Sequence, residues 1–278
     1  MECVDFCTKN IAVVFNEGVK NPYPVLQKLE QILIEKGTAP KIMEIKEMKF
    51  GFDFVFAVGG DGTILHVSKF YAMSKTPVLG VNLGRLGYLS QVNADNIQLA
   101  VDKVFSNTFN VEKRLMIKSS EKYALNDFVI KGACATRSSR FVLSINDKFV
   151  CDYIADGLIV STPTGSTAYG LSAGGPVIYP MLDALVIVPI CPHTLTARPL
   201  VVPSNEIIKI TTAEGESNEF NLITDGADSC DVSNEVVIQK AENKAHLALL
   251  QDDAFYSVLR DKLHWGVSPR SLWLNQFT

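Results

Sequence analysis

The sequence predicts an α/β fold, with an N-terminal doubly wound α/β domain and a C-terminal β-rich domain built as a layered sheet or sandwich. Three observations predict it. In residues 1–105, apolar runs of strand length alternate with helical periodicity, the pattern of a parallel sheet. In residues 106–251, short β runs follow one another between turn residues. Residues 252–278 begin with a short helical pattern and hold two tryptophans, so we expect them to pack back on the first domain.

The elements follow in order along the chain. The first domain has strand-like runs IAVVF, FDFVFAV and PVLGVN, with helical spacing at about 24–36 and after Thr63. The second domain has short β runs that include MIKSSE, ALNDFVI, FVLSIND, KFVCDYIA, GLIVSTP, ALVIVPI, EIIKITTA and EVVIQKA. A last helix is predicted over 252–262.

Composition and charge exclude several classes of protein. The 26 basic and 30 acidic residues give a net charge of -4 without a long basic stretch, which argues against a nucleic-acid partner. The N-terminus lacks the basic region of a secretory signal, and the longest apolar stretch, near 185–190, contains Pro189 and is too short to cross a bilayer. We therefore expect a cytoplasmic protein that has no membrane partner.

The six cysteines form no metal-binding pattern. They include no CxxC pair and have no histidine cluster beside them, so zinc is not expected. In a reducing compartment they are expected to be free and mostly buried thiols.

The strongest chemical signal is the turn Gly59-Gly60-Asp61-Gly62-Thr63. It joins an apolar strand to a helical segment, so it places backbone N–H groups where a phosphate can bind, with Thr63 expected to cap the helix. A carboxylate among these donors repels a phosphate unless it binds a cation or accepts a proton. Asp61 is therefore either a chemical group or an ordinary Asp-Gly turn residue. The turn lacks the lysine of a Walker A motif, and no GxGxxG follows an early strand.

Three other segments offer polar groups at strand ends. DGLIVSTPTGSTAYGLSAGG at 156–175 predicts a strand, a turn and a helix that starts at Ser166 and Thr167. Asn82 ends a strand before two glycines, and the pair at 126–127 suits adenine and ribose recognition. Each segment also has a purely structural reading, as a capped helix, a surface loop or a polar turn.

Taken together, these motifs resemble the NAD kinase family. GGDGT at 59–63, NLGRLGYL at 82–89, LND at 125–127 and the long motif at 156–176 occur in that family's order and spacing. CPHTLTARPLVVP at 191–203 and TDG at 224–226 extend the resemblance over most of the chain. GGDGT alone is shared with lipid kinases and, more loosely, with phosphofructokinases, whereas the long motif is specific.

The resemblance implies phosphorylation of the 2'-hydroxyl of the adenosine ribose of NAD by ATP with Mg²⁺. Asp61 then accepts the hydroxyl proton, Asp156 contacts the nicotinamide side and Tyr169 stacks on adenine. No protein ligand for a metal is assigned. The substrate-binding residues that the resemblance implies are Gly60, Gly62, Thr63, Asn82, Asn126, Asp127, Arg137, Asp156, Thr164, Ser166, Thr167, Ala168, Tyr169, Ser172 and Asp225.

The chain departs from the family's pattern in places. The family usually has Asn-Glu at 126–127, DGQ or a near relative at 225–227, and often an arginine where this chain has Ile154; His193 is expected to be a packed residue. The resemblance also implies a homodimer or homotetramer, with part of the NAD site supplied by a neighbouring subunit. Two alternatives stay open, a lipid kinase of the GGDGT type and a nucleotide sensor without catalysis.

Overall fold

The computed structural model describes residues 9–18, 21–84, 87–132, 138–212, 219–233, 235–250 and 254–263. The chain divides into two compact units, Met1–Glu112 with His246–Thr278, and Lys113–Ala245. The sequence predicts these divisions after residues 105 and 251.

Strands and helices are numbered in chain order. Those of the first stretch are β1 (Ile11–Phe15), α1 (Tyr23–Glu35), β2 (Lys41–Glu44), β3 (Phe54–Val58), α2 (Asp61–Tyr71), β4 (Val78–Asn82), β5 (Val92–Asn93), α3 (Ile97–Phe105) and β6 (Asn110–Arg114). The second stretch holds β7 (Ile117–Ser119), β8 (Lys122–Ala124), β9 (Asp127–Gly132), β10 (Ser139–Ile145), β11 (Lys148–Ala155), β12 (Gly157–Ser161), α4 (Tyr169–Ser172), β13 (Ala184–Ile190), β14 (Leu200–Pro203), β15 (Ile208–Thr212), β16 (Glu219–Thr224), β17 (Asp228–Ser233) and β18 (Glu235–Lys240). The last described elements are β19 (Ala245–Leu249) and α5 (Ala254–Leu263).

The first unit is built on a seven-stranded sheet. Its strand order is β2-β1-β3-β4-β19-β6, and β5 pairs with β4. Strands β1, β2, β3, β4, β5 and β19 pair in parallel. The central strands β1, β3 and β4 are buried at every position, which is why their sequences are continuous apolar runs rather than alternating ones.

Helices cover both faces of this sheet. Residues of α1 and α3, such as Leu29 and Val101, share a core cluster with Phe56 and Val81. Helix α2 lies on the opposite face, because a side chain at Gly80 would come within 2.5 Å of Ile64 Cδ1. The predicted doubly wound α/β domain is thereby confirmed.

The second unit is a sandwich of two antiparallel six-stranded sheets. The strand orders are β11-β10-β15-β18-β7-β8 and β14-β13-β12-β9-β16-β17. Side chains from both sheets, among them Phe141, Leu158 and Phe220, form one core cluster. The other face of the second sheet carries a smaller cluster that includes Ile178. The β-rich layered domain predicted from the sequence is confirmed.

Several local predictions were wrong. Helix α2 begins at Asp61, and Gly60 precedes it without a side-chain cap, so Thr63 is not the capping residue. The segment predicted as a helix start at 166–167 is a 3-10 turn over Thr164–Thr167, and α4 after it has only four residues. Gly174, which has a positive φ, follows Ala173, the C-cap residue of this helix.

The described cysteines are free thiols, as expected, but the expectation that they are mostly buried was wrong. Cys151 and Cys230 are half-buried and Cys191 is exposed. The last predicted helix is present as α5, whereas the two tryptophans at 265 and 273 lie outside the described residues. Within the described ranges, no helix is both long enough and apolar enough to span a membrane.

Candidate active site

Asp61 is the first residue of α2, directly after the carboxyl end of β3. Its carboxylate accepts two backbone hydrogen bonds from the loop after β4, from Tyr88 N to Oδ2 at 2.7 Å and from Leu89 N to Oδ1 at 3.3 Å. The amides of Asp61 and Gly62 occupy the first two helix positions, which have no acceptor inside the helix. A half-buried carboxylate is thus held beside backbone donors that can bind an anion.

Two glycines leave room for this arrangement. A side chain at Gly87 would place its Cβ 1.9 Å from Asp61 Oδ1, so the loop can approach the carboxylate only without one. A Cβ at Gly59 would lie 2.5 Å from Thr63 Oγ1. Thr63, predicted as a ligand contact, is 4% exposed, and its side chain packs against the glycine turn.

The side chain of Asn82, predicted as a ligand contact, forms hydrogen bonds within the loop that follows β4. Its Nδ2 donates to Ser90 Oγ at 3.0 Å, and its Oδ1 accepts from Gly84 N at 2.8 Å. The side chain is buried.

Tyr88 lies partly buried beside Asp61. Burial, and secondarily the negative charge of the Asp61 carboxylate, raise the pKa of the Tyr88 phenol.

In the second unit, three predicted polar turns meet at one end of a sheet. They follow β12, precede β9 and follow β16, and these three strands are neighbours in the order β12-β9-β16. Because adjacent strands are antiparallel, the carboxyl ends of β12 and β16 lie beside the amino end of β9. The motifs TPTGST, LND and TDG therefore come together although they lie far apart in sequence.

Asp225 joins the TDG turn to the LND turn. Its Oδ1 accepts from the backbone N–H groups of Leu125, Asn126 and Asp127 at 3.1, 2.8 and 3.3 Å. In return, Asp225 N donates to Asp127 O at 2.9 Å. The structure thus gives Asp225, predicted as a substrate contact, a role in shaping the turn that carries residues 126 and 127.

The Asp127 carboxyl group has a raised pKa. The residue is 3% exposed. Burial, and secondarily the negative charge of Asp225, raise the pKa of Asp127 to about 7. Among the described residues, the half-buried Asn126 beside it keeps its side-chain amide without a hydrogen-bond partner.

The turn after β12 is anchored to the same place. Thr162 donates from N to Asn126 O at 2.9 Å and from Oγ1 to Leu125 O at 2.5 Å. Gly165 lies so close that a Cβ there would be 2.2 Å from Asn126 O. These contacts place the predicted residues of the two motifs side by side.

The predicted hydroxyl residues of this turn differ in availability. Ser166 is 1% exposed, and its hydroxyl bonds the backbone of Pro163 and Ile178, so its side chain serves the fold. Thr164 is buried and accepts from Arg114 Nη1 at 3.3 Å. Thr167 is half-buried and donates to Thr164 O.

The remaining predicted residues that the structure describes lie at α4 and at the other end of β12. Tyr169 and Ser172, at the two ends of α4, are exposed, and Ala168 before them is half-buried. Asp156, between β11 and β12, is also exposed. Arg137 lies outside the described residues.

The sequence reasoning missed four residues near these turns. Tyr88 and Leu89 act through their backbone amides, which no side-chain pattern reveals. Ser90 and Arg114 are buried at 1% and 7% exposure. A buried arginine needs partners, so the Arg-Leu-Met-Ile run at 114–117 before a strand was the one available signal.

The raised pKa of Asp127 predicts a pH-dependent stability. In the folded protein the pKa of Asp127 is about 7, above the usual value of 3.8. The protonated carboxyl group therefore makes its whole favourable contribution to the free energy of unfolding below about pH 4. That contribution is lost as the pH rises through 7. Asp127→Asn should therefore raise the free energy of unfolding relative to the unsubstituted protein above pH 7, by up to roughly 4 kcal/mol.

This gain should shrink by about 1.4 kcal/mol for each pH unit below 7. Urea unfolding at pH 5, 6, 7 and 8.5 measures it, with the exposed Asp228→Asn as the matched control. A gain that does not change with pH would contradict the prediction.

The described residues hold no group of three or more His, Cys, Asp or Glu that could bind a metal ion. A Mg²⁺ ion that enters with a nucleotide keeps several waters and binds one or two carboxylates together with substrate phosphates. Asp61, half-buried, is the carboxylate of the glycine-rich turn at 59–63.

Two family models match this chain. The ATP-NAD kinase N-terminal domain matches residues 3–109, and the ATP-NAD kinase C-terminal domain matches residues 125–250. Curated relatives align with this chain over nearly its full length. The NAD kinase of Caldanaerobacter subterraneus subsp. tengcongensis is 35% identical over 280 residues, covering 92% of this chain and 99% of that protein. The NAD kinase of Pseudomonas fluorescens is 40% identical over 284 residues, covering 93% and 96%.

Solved structures show the same fold. An NAD kinase from Archaeoglobus fulgidus in complex with ATP superimposes with a TM-score of 0.75 at 26% identity, covering 92% of this chain and 98% of that one. Yeast NADH kinase complexed with NADH gives a TM-score of 0.80 at 22% identity, covering 94% and 89%. Together with the matching motifs and turns, these comparisons show that the chain belongs to the ATP-NAD kinase family.

Proposed function

We propose that this chain, an NAD kinase by family, transfers the γ-phosphoryl group of ATP to the 2'-hydroxyl of the adenosine ribose of NAD. The bond between the γ-phosphorus and the β,γ-bridging oxygen breaks, and a bond from the ribose oxygen to phosphorus forms. Asp61 takes the hydroxyl proton, and the products are ADP and NADP. The observation that carries the proposal is a carboxylate fixed by two backbone amides at a glycine-rich helix start.

The glycine turn supplies positioning. The amides of Asp61 and Gly62 bind phosphate oxygens, and Gly60 lets the backbone approach them. Mg²⁺ enters with ATP and neutralises its phosphate charge. The rate of in-line phosphoryl transfer then depends mainly on how well Asp61 and the γ-phosphate are oriented.

The second unit binds the dinucleotide in this proposal. Within the part of the chain that the structure describes, no group bonds the Asn126 side-chain amide, which can both donate to and accept from an adenosine. The buried Asp127 follows it at the start of β9. Tyr169 presents an exposed ring for stacking on adenine. Asp156 contacts the nicotinamide side, and Ser172 is exposed at the other end of α4.

We further propose that the active form is a cytoplasmic homodimer or homotetramer. Ile154, where the family often has an arginine, is 41% exposed on the edge strand β11. A neighbouring subunit that completes the site would cover such a side chain. Sedimentation of the protein with and without NAD measures the oligomeric state.

The function is tested by incubating the purified protein with ATP, Mg²⁺ and NAD and detecting NADP with an NADP-specific dehydrogenase. A parallel reaction offers diacylglycerol in place of NAD. NADP formation without lipid supports the proposal. Phosphorylation of the lipid alone would point to a lipid kinase, and NAD binding without any product would point to a sensor.

A further inference from the structure

The Asp61 carboxylate is oriented by a loop, and the loop must itself be held. Residues 87–89 carry both backbone donors to Asp61, and they lie between β4 and β5. The two strands pair in parallel through Val81 with Val92, which fixes the ends of the connection but not its middle. A further contact is therefore needed to fix the position of the Tyr88 amide.

Ser90 provides that constraint. Its Oγ accepts from Gly87 N at 2.6 Å and from Asn82 Nδ2 at 3.0 Å. Asn82 is the last residue of β4, and its Oδ1 also accepts from Gly84 N. The hydroxyl therefore ties the loop to the end of a fully buried strand, immediately before the two amides that hold Asp61.

The burial of this network makes it specific. Ser90 is 1% exposed and Asn82 is 8% exposed, so water cannot replace a lost partner without entering the loop. Gly87 also touches the carboxylate directly, since no Cβ fits there. A shift of Gly87 is thus passed to Asp61 both through contact and through the Tyr88 hydrogen bond.

We propose that Ser90 is a positioning residue for the phosphoryl transfer, which acts by fixing residues 87–89 and through them the Asp61 carboxylate. The inference rests on the proposed function, in which Asp61 is the general base. A base must stay within hydrogen-bond reach of its proton, and a displacement of about 1 Å can cost about 100-fold in rate.

The test compares two buried serines. Ser90→Ala removes a hydroxyl that accepts two hydrogen bonds, whereas Ser68→Ala, within α2, removes a fully buried hydroxyl that has no hydrogen-bond partner among the described residues. We expect Ser90→Ala to lower kcat by about 10- to 100-fold with the KM values for NAD and ATP changed less than about threefold. Ser68→Ala should keep the kcat of the unsubstituted protein.

A double-mutant cycle separates positioning from a general structural effect. If Ser90 acts through Asp61, then Ser90→Ala should cause almost no further loss when Asp61 is already asparagine. Equal losses in both backgrounds would overturn the proposal. Ser90→Cys, which keeps a similar volume but accepts hydrogen bonds weakly, replaces the alanine variant if that does not fold.

A second readout does not depend on activity. The amide resonance of Tyr88 should move in Ser90→Ala and in Asp61→Asn but not in Ser68→Ala. An unchanged Tyr88 resonance in Ser90→Ala would sink the positioning role even in an active enzyme. Absence of NADP formation by the unsubstituted protein would instead contradict the proposed function, so the two failures are distinguishable.

Discussion

Asp61→Asn is expected to lower kcat for NADP formation by about 10²–10⁴-fold while the protein stays folded. An amide cannot accept the ribose proton at neutral pH, but it keeps one oxygen that can accept the 2.7 Å hydrogen bond from Tyr88 N. The KM for NAD should change little, because the asparagine oxygen can still accept a hydrogen bond from the ribose hydroxyl in the ground state although it cannot take the proton. Steady-state kinetics with an NADP-specific dehydrogenase measures both constants.

The control for this variant is Asp53→Asn. Asp53 also accepts a backbone hydrogen bond, from Asn10 N at 2.9 Å, but it precedes β3 at the opposite end from the glycine turn. It should retain the activity of the unsubstituted protein. A kcat for Asp61→Asn within about threefold of that value would exclude Asp61 as the general base.

Gly165→Ala is expected to damage both stability and NAD binding. The added Cβ would lie 2.2 to 2.6 Å from the backbone O, C and Cα of Asn126, none of which can rotate away. The two turns must separate, which breaks the hydrogen bonds that Thr162 makes to the LND turn. We expect a loss of roughly 1–3 kcal/mol in the free energy of unfolding.

The KM for NAD should rise at least about tenfold in the same variant, because residues 126 and 127 move with the turn. Gly170→Ala is the control, since its nearest neighbours would be 3.9 Å away, an ordinary contact distance. Urea unfolding and NAD titration measure the two effects. A Gly165→Ala protein as stable as Gly170→Ala would show that the close approach of the two turns has no energetic consequence.

Predictions from the sequence were most accurate where periodicity is strong. The buried strands β1, β3 and β4 have continuous apolar runs, and most strands of the sandwich alternate or have Val and Ile runs. Strand β17 was missed because it lies at a sheet edge, where exposed Asp228 and Asp231 obscure the apolar alternation. The short helix α4 was overestimated because the serine and threonine hydroxyls around it bond locally and favour a turn.

For the candidate site, the sequence alone located the motifs. It did not show which of their side chains are exposed to a ligand and which are buried. Thr63, Ser166 and Asn82 have the polar groups expected of ligand contacts, yet the fold buries all three. Their hydrogen bonds and contacts join residues up to twelve positions apart and depend on how the chain returns. A linear pattern contains no information about which partner takes a hydroxyl or an amide.

The sequence by itself determined the α/β fold class, the β-rich second domain and the ATP-NAD kinase family, and it predicted that the chemistry takes place at Asp61. These properties depend on local periodicity and on motifs whose order along the chain is visible directly. Only the tertiary structure decided that Asp225 holds the turn at 125–127, about one hundred residues away, and that amides of residues 88 and 89 orient Asp61. The reason is physical: hydrogen bonds and burial act between groups that strand pairing brings together, whatever their separation in sequence.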